Sequence, residues 1–106
     1  MNARPDPRSR DALENWYQAH DRELSQSYES VRFESSPPDR SPPSAWIELH
    51  SVERSGHLIA WDSGAVDVHV INAAGEDVLM KHWEIEDSDD LEAIIAEFEG
   101  ALRGRC

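Results

Sequence analysis

The sequence predicts an α+β fold, an antiparallel meander sheet of about five strands with an N-terminal and a C-terminal helix packed on one face. Two segments near the chain ends repeat apolar residues at helical spacing, and the segments between them alternate apolar and polar residues. Short turns separate the alternating segments, and strands joined by short turns must be antiparallel. At 106 residues, a single domain over residues 1–106 is expected.

The first helix is expected at about residues 10–26. Its apolar stripe, spaced i, i+3, i+4, i+7 and i+11, consists of Leu13, Trp16, Tyr17, His20 and Leu24. Asp11 and Glu14 have the spacing of a capping box at the start of this helix. Residues 1–9 mix prolines and arginines without periodicity and are expected to form a flexible tail.

Five strands are expected, at residues 28–35, 45–52, 57–61, 65–71 and 78–86. Residues 35–43 hold four of the six prolines and predict an exposed Pro-rich loop, because proline cannot pair in the middle of a sheet. A proline-rich ligand for a recognition module is the alternative interpretation of this loop. Gly64 can adopt a positive φ in the second of the turns, which are expected at 53–56, 62–64 and 72–77.

Alternation along the strands predicts an apolar inward face that both helices cover. The inward residues include Ala45, Ile47, Leu49, Val66, Val68 and Val70. The outward residues include Trp46, Glu48, His50, Asp67, His69 and Ile71. The outward face is therefore available for a partner.

The second helix follows an acidic run, residues 87–90, which can cap the helix and places negative charge at the positive end of its dipole. Its apolar stripe repeats the spacing of the first and consists of Leu91, Ile94, Ile95, Phe98 and Leu102. Gly104 is expected to end the helix.

The chain is strongly acidic, with 22 Asp and Glu against ten Lys and Arg and a net charge of −12. Fourteen of the acidic residues lie in residues 44–106, together with only four basic ones. Such a domain repels nucleic acid and anionic membranes and attracts a basic protein surface. No stretch approaches the roughly 20 apolar residues of a membrane span. The lone Cys106 has no intrachain disulfide partner, so a cytoplasmic location is expected.

Catalytic residues, cofactors and metals are not expected. The best metal candidate is Asp67 and His69 on one strand with His50 across the sheet, but the sequence has no cysteine partner and no His-x-x-x-His pair. The acidic run lacks the glycine of a calcium loop. Nucleophile elbows and phosphate-binding glycine loops are also missing from the sequence.

Four tryptophans are more than a core of this size needs. Tryptophan is over-represented at binding hot spots, where a charged rim surrounds a large flat side chain. Trp46, on the outward face, is therefore expected to contact a partner. Trp61 and Trp83 fit either partner contact or the filling of a gap between sheet and helix.

Several short motifs occur in a recognisable order. They are Ser44-Ala45-x-Ile47-Glu48, the segment Gly56-His57-Leu58-Ile59-Ala60-Trp61-Asp62-Ser63-Gly64, a Val-Asp-Val strand and a Gly75-Glu76 turn. With the flanking helices, this order resembles the TriTu family of immunity proteins from about residue 11 to residue 102. The most specific part is the Trp61-x-Ser63-Gly64 turn.

The resemblance implies an antitoxin. Such proteins bind and neutralise a cognate toxin domain, here an NAD-using ADP-ribosyltransferase that modifies elongation factor Tu and is carried by a polymorphic Rhs protein of type VI secretion. We expect a one-to-one complex with the toxin and a protein that is monomeric alone. From the sequence we expect an acidic surface that occludes the NAD cleft, formed by Trp46, Glu48, Trp61, Asp62, Glu84, Glu86, Asp87, Asp89 and Asp90. Helix capping and solvation are the alternative explanation of the acidic run.

Two other functions fit the composition. An immunity protein for a nuclease toxin would use carboxylates in place of phosphates, and charge supports it equally well. A small acidic secretion chaperone would present a large apolar groove and dimerise, whereas the outward strand positions here mix polar and aromatic residues.

Overall fold

Five strands follow one another in chain order across one antiparallel sheet, and a helix precedes and follows them. The computed structural model describes residues 9–36, 44–85 and 89–103. The elements are α1 (Ser9–Ser27), β1 (Ser30–Ser35), β2 (Ser44–His50), β3 (Arg54–Trp61), β4 (Ala65–Asn72), β5 (Asp77–Glu84) and α2 (Asp89–Leu102). The predicted α+β meander with two terminal helices is confirmed.

Both helices pack on the same face of the sheet and form one core with it. α1 contacts β1 to β3, and α2 contacts β3 to β5, so each helix covers about half of the sheet. The predicted inward residues are buried, and no more than 1% of the surface of any of them is exposed. Burying a side chain of this size contributes about 1.5–3 kcal/mol. The core therefore lies entirely between the helices and the inner face.

The stripe of α1 is only partly buried. Leu13 and Leu24 are buried as expected, but Trp16, Tyr17 and His20 are half-buried. The ring of Trp16 stacks on that of His20 with 4.7 Å between centroids, while Tyr17 stacks on Phe33 of β1 at 4.8 Å. Trp16 thus lies on the predicted stripe and packs against the core without being fully buried.

The prediction of a turn at residues 53–56 was wrong for its last three residues, because β3 begins at Arg54. Gly56 lies inside the strand, opposite Leu49 and Val70. A Cβ atom at this position would come within 2.9 Å of the carbonyl oxygen of His69, of Val70 Cγ2 and of Phe98 Cε1. Gly56 is therefore required for close packing of α2 on the sheet, and not for a turn.

Other strand ends differ from the prediction by a few residues. The backbone N–H of Tyr28 donates to Leu24 O at 2.9 Å, which extends the end of α1 and delays β1 to Ser30. β5 was expected to run to residue 86, but it ends at Glu84. The turn predictions at Gly64 and Gly75 hold, since these glycines have φ values of 102° and 84°.

Most of the predicted tail (1–9) and of the predicted Pro-rich loop (35–43) lies outside the described residues. The two ends of that loop are joined by hydrogen bonds of 2.8 Å. Ser36 N–H donates to Ser44 O, and Ser44 N–H donates to Ser36 Oγ. Within the described ranges, no helix is long and apolar enough to cross a membrane.

Candidate partner-binding surface

The face of the sheet that points away from α1 and α2 is called the outer face here. Strand pairing arranges its side chains in rows that cross all five strands. One row consists of Glu34, Trp46, Ile59, Asp67 and His82. The next row consists of Arg32, Glu48, His57, His69 and Met80. In the part of the chain that the structure describes, all core residues of both helices lie on the other side of the sheet.

The outer face has an apolar centre formed by Trp46, Ile59 and Trp61. Trp46 lies opposite Ile59 across the β2–β3 pair, and Trp61 follows Ile59 by two residues on the same face. All three side chains are half-buried. Directly opposite and diagonal residues of a strand pair are close enough for large side chains to pack. The centre is therefore a compact apolar patch on a face that also carries charged and polar side chains.

Carboxylates surround this apolar centre. They come from the strand rows, from the turn after β3 and from the end of β5, and they are Glu34, Glu48, Asp62, Asp67 and Glu84. The Glu34 carboxylate also pairs with Arg32, its neighbour on the outer face. An apolar patch with a charged rim is the arrangement found at protein–protein hot spots.

His82 connects two of these carboxylates. Its Nδ1 lies 2.5 Å from Asp67 Oδ1, and its Nε2 lies 2.5 Å from Glu84 Oε2. Because a carboxylate accepts hydrogen bonds, both ring nitrogens donate only when the imidazole is protonated. The hydrogen bond to Asp67, followed by that to Glu84, raises the pKa of His82.

Two further histidines of the outer face meet beside this group. The rings of His57 and His69 contact edge to face at a centroid distance of 5.7 Å. His69 Nε2 lies 2.7 Å from Asp77 Oδ1. Burial, and then the charge of His69, lowers the pKa of His57. The rings border a depression of about 420 Å³, lined by His57, Asp67, Val68, His69, Met80, Lys81 and His82.

These contacts separate the three residues that the sequence suggested as a metal site. Asp67 bonds to His82, His69 bonds to Asp77, and His50 lies in a different row, beside Ser55. Among the residues whose placement is described, no three His, Cys, Asp or Glu side chains form a group that could hold a metal ion.

The model of one protein family, described as the immunity protein TriTu, matches residues 11–99. The chain belongs to the TriTu immunity protein family. It therefore has an immunity role, which implies that it binds a cognate toxin. A search of curated proteins found no match to this chain.

The residues predicted to bind the cognate toxin fall into two groups. Trp46, Glu48, Trp61, Asp62 and Glu84 lie together on the outer face or in the turn at its edge. Asp90 is exposed in the first turn of α2, and Asp89 begins that helix. Glu86, Asp87 and the side chain of Asp89 lie outside the described residues. The structure thus assembles the tryptophan group, and of the acidic run it describes only Asp89 and Asp90, at the start of α2.

Trp83 is placed on the helix side of the sheet of this TriTu protein. It packs against the core, and Lys81 Nζ lies 5.6 Å from the centre of its ring. Of the two predicted roles of Trp83, packing between sheet and helix is consistent with this position, and partner contact stays a prediction. His82 was the functional candidate that sequence reasoning missed. The signal for it was its spacing of two residues from Glu84, which puts both side chains on one strand face.

Proposed function

We propose that this protein neutralises its cognate toxin by covering the toxin's active site with the outer face. The toxin would be an ADP-ribosyltransferase that modifies elongation factor Tu, and the complex would contain one copy of each protein. The observation that carries this proposal is the apolar centre of Trp46, Ile59 and Trp61 inside a ring of carboxylates. The protein would act in the cytoplasm as a binding inhibitor without catalysis of its own.

The apolar centre supports a tight contact. A tryptophan on a solvent-facing sheet contributes most to affinity when a partner removes the remaining water from its ring, and a polar rim then keeps water out. Trp46 and Trp61 are half-buried, so their orientation is already restricted before a partner binds. Less side-chain entropy is therefore lost on binding.

The charge of the surface supports an NAD-using partner. An NAD cleft needs positive groups for the pyrophosphate, and a rigid acidic surface can compete for those groups. The net charge of −12 also attracts such a toxin over distance and speeds its capture. Rapid capture matters because a free toxin molecule turns over many substrates.

The test is co-expression of the toxin domain encoded beside this gene, with and without this protein, in growing bacteria. We expect growth to be restored, a one-to-one complex to be purified, and ADP-ribosylation of elongation factor Tu to stop in a reconstituted assay. A second outcome is that the protein binds the toxin and rescues growth, but the free toxin cleaves nucleic acid. The toxin would then be a nuclease and not an ADP-ribosyltransferase. Failure of both rescue and binding would overturn the proposed function.

A further inference from the structure

β5 is an edge strand whose outer side is unpaired within the described ranges. Ile85 N–H donates to Gly64 O of the neighbouring segment at 2.8 Å, and the pairing continues without irregularity from Glu84 back to Leu79. In an antiparallel strand the N–H and C=O of one residue point to the same side, and the sides alternate along the chain. The backbone groups of Met80, His82 and Glu84 therefore point away from the sheet.

The same strand exposes apolar side chains. In the described part of the chain, large hydrophobic residues are exposed at only three positions, and two of them are Val78 and Met80 of β5. Met80 is 65% exposed. Its side chain also borders the depression of about 420 Å³, which extends from the edge onto the outer face. An unpaired edge beside a depression is what a partner strand needs, since the backbone supplies hydrogen bonds and the depression receives a side chain.

β1, the strand at the opposite edge, is also unpaired on its outer side within the described ranges, but it exposes no large hydrophobic side chain. The outward backbone positions of β1 include Val31 and Phe33, whose side chains are half-buried against the core. Tyr17 of α1 stacks on Phe33. α1 thus packs over β1 on the inner face of the sheet, whereas the exposed methionine is on β5.

We infer that an extended, basic segment of the toxin adds to β5 as a sixth strand and places a cationic side chain in the depression. This inference rests on the proposed function and names the element of the partner that the surface receives. Asp67, Asp77 and Glu84 provide the negative charge beside the edge. A second copy of this chain also has a net charge of −12, so its carboxylates would repel those beside β5. We therefore do not expect a second copy to bind at this edge. The pairing of β5 with β4 is regular over residues 79–84, so the added strand is expected to pair there.

Proline substitution tests the role of the backbone. Met80→Pro removes one outward N–H without removing a bond inside the sheet, because proline is tolerated on edge strands where the N–H faces solvent. Met80→Ala removes the side chain alone, and Ser35→Pro makes the matching change on the opposite edge. We expect Met80→Pro to weaken toxin binding about tenfold beyond Met80→Ala. Ser35→Pro should bind as the unmodified protein does.

Amide hydrogen exchange gives a second measurement that needs no variant. In the unmodified complex, exchange at Met80, His82 and Glu84 should slow relative to the free protein. Equal affinities of the two Met80 variants, together with unchanged exchange at these amides, would overturn the inference. A free protein that is already dimeric, with these amides protected, would also overturn it. If Trp46→Ala loses toxin binding while the Met80 variants do not, the sixth strand is rejected and the proposed function still stands.

Discussion

Asp67 on β4 and His82 on β5 face each other across the strand pair and share a hydrogen bond of 2.5 Å. The second ring nitrogen of His82 reaches Glu84. One imidazole thus links two carboxylates of the acidic rim. The rim is therefore partly neutralised from within whenever His82 is protonated.

This contact predicts a pH dependence of the fold. The hydrogen bonds to Asp67 and Glu84 raise the pKa of His82 above 6.5. The contact therefore stabilises the fold fully below pH 6.5, and its contribution is lost as the pH rises through the raised pKa. Asp67→Asn should lower the pKa of His82 in an NMR titration. Asp77→Asn, which changes the contact of His69 instead, should leave the His82 titration in place, and an equal effect of both variants would contradict the assignment.

Tryptophans on the two sides of the protein should behave differently. Trp46→Ala removes the centre of the outer face and should weaken toxin binding by about 2 kcal/mol, roughly 30-fold. Trp16→Ala removes the same side chain from α1, where it is also half-buried. It should lower the melting temperature and leave the affinity within about twofold. Calorimetric titration of both variants checks this, and a matching loss of affinity in Trp16→Ala would move the interface to the helices.

Charge reversal should slow the association with the toxin. Glu48→Arg with Glu84→Arg changes the sign of two rim positions and should reduce the association rate at low salt by about tenfold. The remaining rate should depend less on salt. Stopped-flow measurement over a range of ionic strength checks this, with Glu92→Lys on the exposed side of α2 as the control. An unchanged association rate at low salt would show that the carboxylate rim does not contribute to association with the toxin.

Two glycines should respond in opposite ways to alanine. Gly56→Ala places a methyl group within 2.9 Å of Phe98 and of the backbone of His69, so it should destabilise the fold by about 1–3 kcal/mol. Gly100 lies in α2, and its added methyl would meet no atom within 4 Å. Gly100→Ala should therefore stabilise the protein by about 0.5–1 kcal/mol. Urea unfolding of the two variants measures both effects, and a neutral Gly56→Ala would show that α2 moves away at little cost.

The sequence predicted the sheet and its two faces because alternation is a local property. Val66, Asp67 and Val68 already assign the faces of β4 without knowledge of any neighbour. The same rule placed Trp46 outward, as the structure has it. The helix stripes were equally accessible, since their spacing depends only on residues within one turn or two.

The remaining features depend on relationships between strands. The partnership of His82 with Asp67 follows from the register of β4 and β5, which no local pattern contains. The residues around Gly56 are typical of a turn. The steric requirement for glycine comes from Phe98, 42 positions further along the chain. Trp83 lies beside acidic residues in the sequence, yet its side chain faces the helix side of the sheet.

Because both helices pack on one side of the sheet, each strand has positions that serve the core and positions that face away from it. Alternate positions of a strand such as β2 lie on different faces, so Ile47 packs in the core while Trp46 and Glu48 belong to the surface that we propose binds the toxin. Outer-face residues can change together without emptying the core. The proposed recognition surface can therefore change while the scaffold persists, and libraries confined to these alternate positions offer a direct test for immunity proteins with altered specificity.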